Sequence, residues 1–160
     1  MYKNIFFFVV LPLTTTSYFS GDFEGAKKIK FLNYPDCIEL KNSAGTTAVL
    51  SHHVGGRVLS YRKNNKESLF IADNEREWKP DGSKKPSSAG RFDIGPEYLI
   101  PKREELWSGK WTSTIIGPRS ARLESKESKD AGIRLIREFI LDEKSSHLIC
   151  KQTMENTSNE

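Results

Sequence analysis

The side chains best equipped for chemistry lie between positions 52 and 111. Arg57 follows a glycine pair, Gly55-Gly56, at the root of a strand-like run. Its planar guanidinium fork suits a carboxylate or a sugar hydroxyl, and a structural salt bridge beneath a sheet is the competing role. Arg91 and Asp93 flank Phe92, so in an extended segment they share one face and can line a cleft or pair with neighbours. Glu97 follows Gly95-Pro96 on a rigid turn and is the best-placed carboxylate of the chain. Trp107 and Trp111 flank Ser108-Gly109-Lys110. An indole face stacks on the C–H surface of a sugar while its N–H donates a hydrogen bond, and core packing is the equal alternative. His52 and His53 point to opposite sides of a strand, so both reach one site only through a bulge. The sequence holds no metal-ligand spacing, phosphate loop or nucleophile elbow, and no metal or cofactor is expected.

The elements that must hold these residues read as strands. Cys37–Lys41 alternates with period two, Asn42-Ser43-Ala44-Gly45 turns, and Thr46–Ser51 and Val58–Lys63 follow. Asn64-Asn65 predicts a hairpin leading to a strand over 68–71. Residues 72–91 have loop chemistry around Trp78 and Pro80-Asp81-Gly82, and Trp78 could cover a site there. Strands over 120–126, 133–141 and 147–154 then form a three-stranded meander, with His147 exposed at the start of the last. No long amphipathic helix and no fixed-period repeat is legible. The fold class is all-β, an antiparallel β-sandwich.

Composition bounds the partners. In 160 residues the formal charge is +4, but opposite charges are interleaved, and the only adjacent lysine pairs are Lys27-Lys28 and Lys84-Lys85. No basic block of the nucleic-acid type exists. Lys3, then the short apolar run Ile5–Leu13, then Thr14–Ser17 fit a secretory signal peptide over about residues 1–20. The run is too short for a membrane span, and a buried N-terminal strand is the alternative. Residues 21–35 read as a polar lead-in and 36–160 as the domain. An exported chain is secreted or periplasmic, where Cys37 and Cys150 either pair or remain two buried thiols.

Three motifs in order carry a resemblance: Gly55-Gly56-Arg57-Val58 with Ser60-Tyr61; Phe92-Asp93-Ile94-Gly95-Pro96-Glu97 with Trp107-Ser108-Gly109-Lys110-Trp111; and the closing Gln152–Ser158. Together they resemble the galactose-mutarotase-like superfamily, and within it the uncharacterised DUF4380 proteins, over roughly residues 36–160. The resemblance implies the N-terminal half of a larger antiparallel supersandwich that binds carbohydrate on a concave sheet. It implies an aldose-epimerase-like or other sugar-modifying activity for a full-length protein. The residues of such catalysis would lie beyond Glu160, so the chain is expected not to be catalytic alone, with a missing C-terminal half as a possible second chain. The alternative is a complete small β-sandwich that binds glycans or a protein partner. Under either, Arg57, Arg91, Asp93, Glu97, Trp107 and Trp111 are the candidate ligand contacts.

Overall fold

Short alternating runs separated by turn residues fold into two antiparallel meanders. The computed structural model describes residues 23–80, 90–101 and 103–158. The first sheet runs in sequence order through β1 (Ala26–Phe31), β2 (Tyr34–Lys41), β3 (Thr46–Ser51), β4 (Arg57–Lys63) and β5 (Lys66–Glu67). The second runs through β6 (Thr112–Gly117), β7 (Ser120–Glu124), β8 (Ile133–Leu141) and β9 (Leu148–Asn156). Two single-turn helices, α1 (Asp73–Arg76) and α2 (Glu104–Trp107), lie in the connection between the sheets. The molecule is an all-β antiparallel sandwich.

The two inner faces share one core. Ile38, Leu40, Ala48, Leu50 and Val58 of the first sheet join Ala121, Leu123, Leu135, Phe139 and Leu141 of the second, with Trp111 and Ile94 from the connection. The first sheet also buries its outer face. Tyr34, Cys37, Val49 and Leu59 pack there beneath Val54 and Trp78. Burial on both faces explains why β3 and β4 are buried almost without alternation. The second sheet alternates more cleanly: in β8, Leu135, Arg137, Phe139 and Leu141 point inward while Arg134, Glu138 and Ile140 do not.

Several expectations are corrected. The polar lead-in contains a strand, β1, hidden because Lys27, Lys28 and Lys30 occupy an edge that faces solvent. The strand over 68–71 does not form. The Glu67 carboxylate accepts hydrogen bonds from the Tyr61, Ser68 and Leu69 amides and from the Ser60 hydroxyl, which ends the ladder at Glu67. The hairpin turn itself stands, with Asn64 and Asn65 both at positive φ (49° and 64°). The closing meander has four strands, because Thr112–Gly117 pairs with β7. Cys37 faces the outer cluster and Cys150 the central core, and both are free thiols. Burial pushes the Cys37 thiol up to about 11. The expected signal segment, residues 1–20, lies outside the described residues, among which no helix is long and apolar enough to cross a membrane.

The register places Phe139 inward and its neighbour Ile140 half outward. Phe139→Ala is expected to lower stability by about 3–5 kcal/mol, and Ile140→Ala by about 0.5 kcal/mol. Urea denaturation of the two variants checks the sandwich, and comparable losses would contradict it.

Candidate functional site

The glycine pair turns the chain between β3 and β4 against the segment that enters β6. Gly55 and Gly56 adopt φ of +77° and +52°. A Cβ on Gly55 would lie 2.0 Å from the Trp107 carbonyl oxygen, and one on Gly56 would lie 2.3 Å from the Trp111 ring. Only glycine fits both the backbone and the space. The Gly55 amide donates to Gly109 O (2.9 Å) and the Trp111 amide to His52 O (2.7 Å), so the corner and the Trp107–Trp111 turn are locked together.

Arg137 of β8 reaches into this joint. Its Nη1 donates to Gly55 O (2.8 Å) and Gly56 O (2.6 Å), its Nη2 to Phe92 O (2.8 Å), and its Nε to Gln152 Oε1 (2.7 Å). The guanidinium also lies 4.5 Å from the Trp111 ring centroid and 5.3 Å from that of Phe92. It is fully buried, and burial lowers it to about 10. Its charge is held by carbonyl dipoles and aromatic faces.

Arg57 turns the other way, beneath the outer face of the first sheet. It grips Glu75 of α1 with both Nη atoms (Nη1 to Oε2, 3.0 Å), and the Tyr34 hydroxyl donates to the same carboxylate. Trp78 stacks on Tyr34 with ring centroids 4.1 Å apart, and His53 tilts against both. Burial first, then Glu75, pushes the Tyr34 hydroxyl well above the usual phenol range. Arg57 is therefore a buried ion-pair partner, and its ligand role is corrected to the salt bridge beneath the sheet. Trp111 is corrected too: it is 2% exposed, its Nε1 donates to Glu105 O (3.1 Å), and it packs in the core.

The other candidates lie nearer solvent, in separate places. Arg91 donates to Trp107 O (3.0 Å) and lies 4.9 Å from the Trp107 ring centroid. Trp107 is 39% exposed. Residues 91–97 form no strand, so Arg91 and Asp93 do not share a strand face. Asp93 instead receives both Arg103 Nε (3.0 Å, to Oδ1) and Nη2 (2.7 Å, to Oδ2), along with the Ile94 amide. Burial pushes its carboxyl up, but the Arg103 hydrogen bonds and the Ile94 amide outweigh that and hold it below the usual range. Glu97 is exposed on the turn that follows, where its charge acts on Arg103.

Asp93 opens onto a cleft of about 600 Å³ between the 93–101 segment and the inner face of β9. Ile94, Leu99 and Met154 supply apolar walls, and Gln152 joins the lining from β9. Because Gln152 Oε1 is taken by Arg137, the amide is oriented with its Nε2 donors left for the cleft. The sequence reasoning missed Arg137, Gln152, Arg103 and Glu75. The inward phase of Leu135-x-Arg137-x-Phe139 was the available signal for Arg137. Nothing in the sequence singles out Glu75.

Among the described residues no three His, Cys, Asp or Glu side chains gather as a metal set. Comparisons with family models, curated proteins and solved structures returned no match.

Two outcomes test this network. Arg137→Met leaves the Gly55, Gly56 and Phe92 carbonyls unpaired at about 1–3 kcal/mol each. A stability loss of at least about 3 kcal/mol is expected in guanidinium denaturation, with Arg137→Lys recovering only part because an ammonium cannot span the same acceptors. His52, bonded to Ser113 Oγ (2.9 Å), is lowered from 6.5 to about 4 by burial first, then by His53 and Lys110. A ring kept neutral in the fold contributes fully above pH 6.5 and loses that contribution as pH falls toward 4. His52→Gln should flatten the fall in denaturation midpoint across that window. An unchanged pH profile would show that His52 does not titrate with folding.

Proposed function

We propose that the chain is an exported, carbohydrate-interacting domain of the galactose-mutarotase-like kind. The cleft between the 93–101 segment and β9 carries this reading. Its volume of about 600 Å³ suits a ligand of one or two sugar rings. A sugar needs both an apolar wall for its C–H face and fixed polar groups for its hydroxyls. Ile94, Leu99 and Met154 provide the first, while Asp93 and Gln152 provide an acceptor and donors. Each polar group is oriented from behind, Asp93 by Arg103 and Gln152 by Arg137. Such preorganisation lowers the entropy lost on binding.

The same pairing argues for binding rather than turnover by this chain. A carboxylate held ionised by Arg103 accepts hydroxyl hydrogen bonds well but is a weak base. An aldose-epimerase-like activity, if the full-length protein has one, would draw its acid and base from elsewhere. A protein-binding module is the second reading, favoured by Tyr98, Leu99 and Met154, all exposed at the cleft mouth or beside it.

Calorimetry against neutral sugars and uronic acids tests the proposal. Binding weak but measurable, with Kd of about 1 mM or tighter, is expected, and Gln152→Ala or Asp93→Asn should weaken it roughly tenfold, about 1.4 kcal/mol. Binding that survives both and disappears in Trp107→Ala would move the sugar to the Arg91–Trp107 surface. Polarimetry of fresh α-galactose should show the buffer rate of mutarotation, and acceleration would overturn the claim that the chain is inactive alone.

A further inference from the structure

We infer that the free edge of β9 joins a second copy of this chain in an antiparallel, two-fold pair. Among the described residues β9 hydrogen-bonds only to β8, in unbroken register from Ile133↔Asn156 to Leu141↔Leu148. The phase of that ladder follows from its two ends. The Asp142 amide donates to His147 O and the Thr157 amide to Gly132 O. Odd-numbered residues of β9 therefore aim their amides and carbonyls at β8, and Leu148, Cys150, Gln152, Met154 and Asn156 aim theirs away. A nine-residue strand with one edge left open among the described residues is a template for another strand.

The charges beside this edge name the occupant. Lys151 and Glu155 stand on the solvent face, two residues either side of Thr153. A lysine on an edge strand by itself repels a second copy. Here a two-fold axis through Thr153 sets Lys151 opposite Glu155 of the second copy, and Glu155 opposite its Lys151. Odd-numbered pairs are then the non-hydrogen-bonded ones, whose side chains approach most closely. The even-numbered pairs, Gln152 with Met154 and Cys150 with Asn156, make the main-chain bonds.

The match extends across the second sheet of each copy. Arg122 faces Glu138, and Glu138 faces Lys151; Arg134 faces Glu155 and also contacts Glu124 (2.8 Å). In the pair the row reads Arg122, Glu138, Lys151, then Glu155, Arg134, Glu124 of the second copy. The signs alternate at every step, and the shift by one pair that would place Lys151 opposite Thr153 loses this pattern. Met154, 59% exposed, gains cover from Gln152 of the second copy, and Ile149 from its Thr157.

Sedimentation velocity on the full chain, from low to tens of micromolar, tests the inference, with circular dichroism as the check on folding. The wild-type chain should be a dimer in moderate salt and weaken as salt screens the exposed pairs. Lys151→Glu and Glu155→Lys should each weaken association at least tenfold. An equimolar mixture of the two should associate again, because every cross-strand pair becomes one glutamate and one lysine. Met154→Pro removes an outward amide without touching the β8 ladder and should give a folded monomer. A wild-type chain that stays monomeric overturns the inference, as does a dimer that persists in both Lys151→Glu and Met154→Pro. A mixture that fails to associate while each variant is folded overturns the register.

Discussion

The structure depends on one buried cation. Arg137 sits between the sheets with carbonyls, an amide oxygen and two aromatic rings around it, and among the described residues none of its hydrogen-bond partners is a carboxylate. Hydrogen bonds to a charged group contribute about 1.5–3 kcal/mol each, so several together offset part of the desolvation of the guanidinium. The geometric consequence is larger than the energetic one. One side chain on β8 fixes the β3–β4 corner, the backbone at Phe92 and the amide of Gln152. Those three points belong to the first sheet, the connection and β9. The relative placement of the sheets, and the shape of the cleft between 93–101 and β9, follow from where Arg137 must find its acceptors.

Arg57 solves the same problem differently. On the outer face of the first sheet a carboxylate is available, and the Arg57–Glu75–Tyr34 cluster is a paired charge. Its role is to anchor α1 and Trp78 over Tyr34. The two arginines thus tie down different covers. Arg57 holds the lid of the outer cluster, and Arg137 holds the core joint. Both are unavailable to ligand, whereas Gln152, oriented by Arg137, and Asp93, oriented by Arg103, are exposed.

How much of this the sequence discloses differs by residue. The inward phase of β8 is plain, since Leu135, Phe139 and Leu141 alternate with charges. β1 is obscured because three lysines mask an edge strand whose only buried side chain is Ala26. β6 is obscured by threonines and serine that read equally as loop. Gly55-Gly56 announces a close approach but not what approaches, and the answer, the Trp107 carbonyl and the Trp111 ring, lies more than fifty residues away. Trp107 and Trp111 are indistinguishable by type and spacing. Their fates diverge because the second enters β6 against Gly56, while the first ends α2 at the surface under Arg91. Asp93 kept its place among the candidates, but its partner Arg103 was invisible to spacing alone. Of the three motifs singled out in the sequence, Gly55-Gly56, Phe92, Trp111 and Gln152 converge on Arg137, while Arg57 and Asp93 serve other pairs.

β9 shows why local alternation matters for what the molecule does. Its inward residues Gln152 and Met154 line the cleft, its outward residues Lys151 and Glu155 carry the charge row, and its even-numbered main chain forms the bare edge. Period two keeps these uses apart, because a residue that faces the cleft cannot belong to the charged face. The edge, however, shares residues with the cleft. A strand docked there would align Gln152 with Met154 of the second copy and lengthen the apolar wall past the mouth of the cleft. Gln152 is also bonded to Arg137, so order imposed on β9 from outside is transmitted to the joint that sets the sheets. Strand pairing at the edge and ligand binding on the face would therefore act on the same strand, β9, and through Gln152 on the same Arg137 joint.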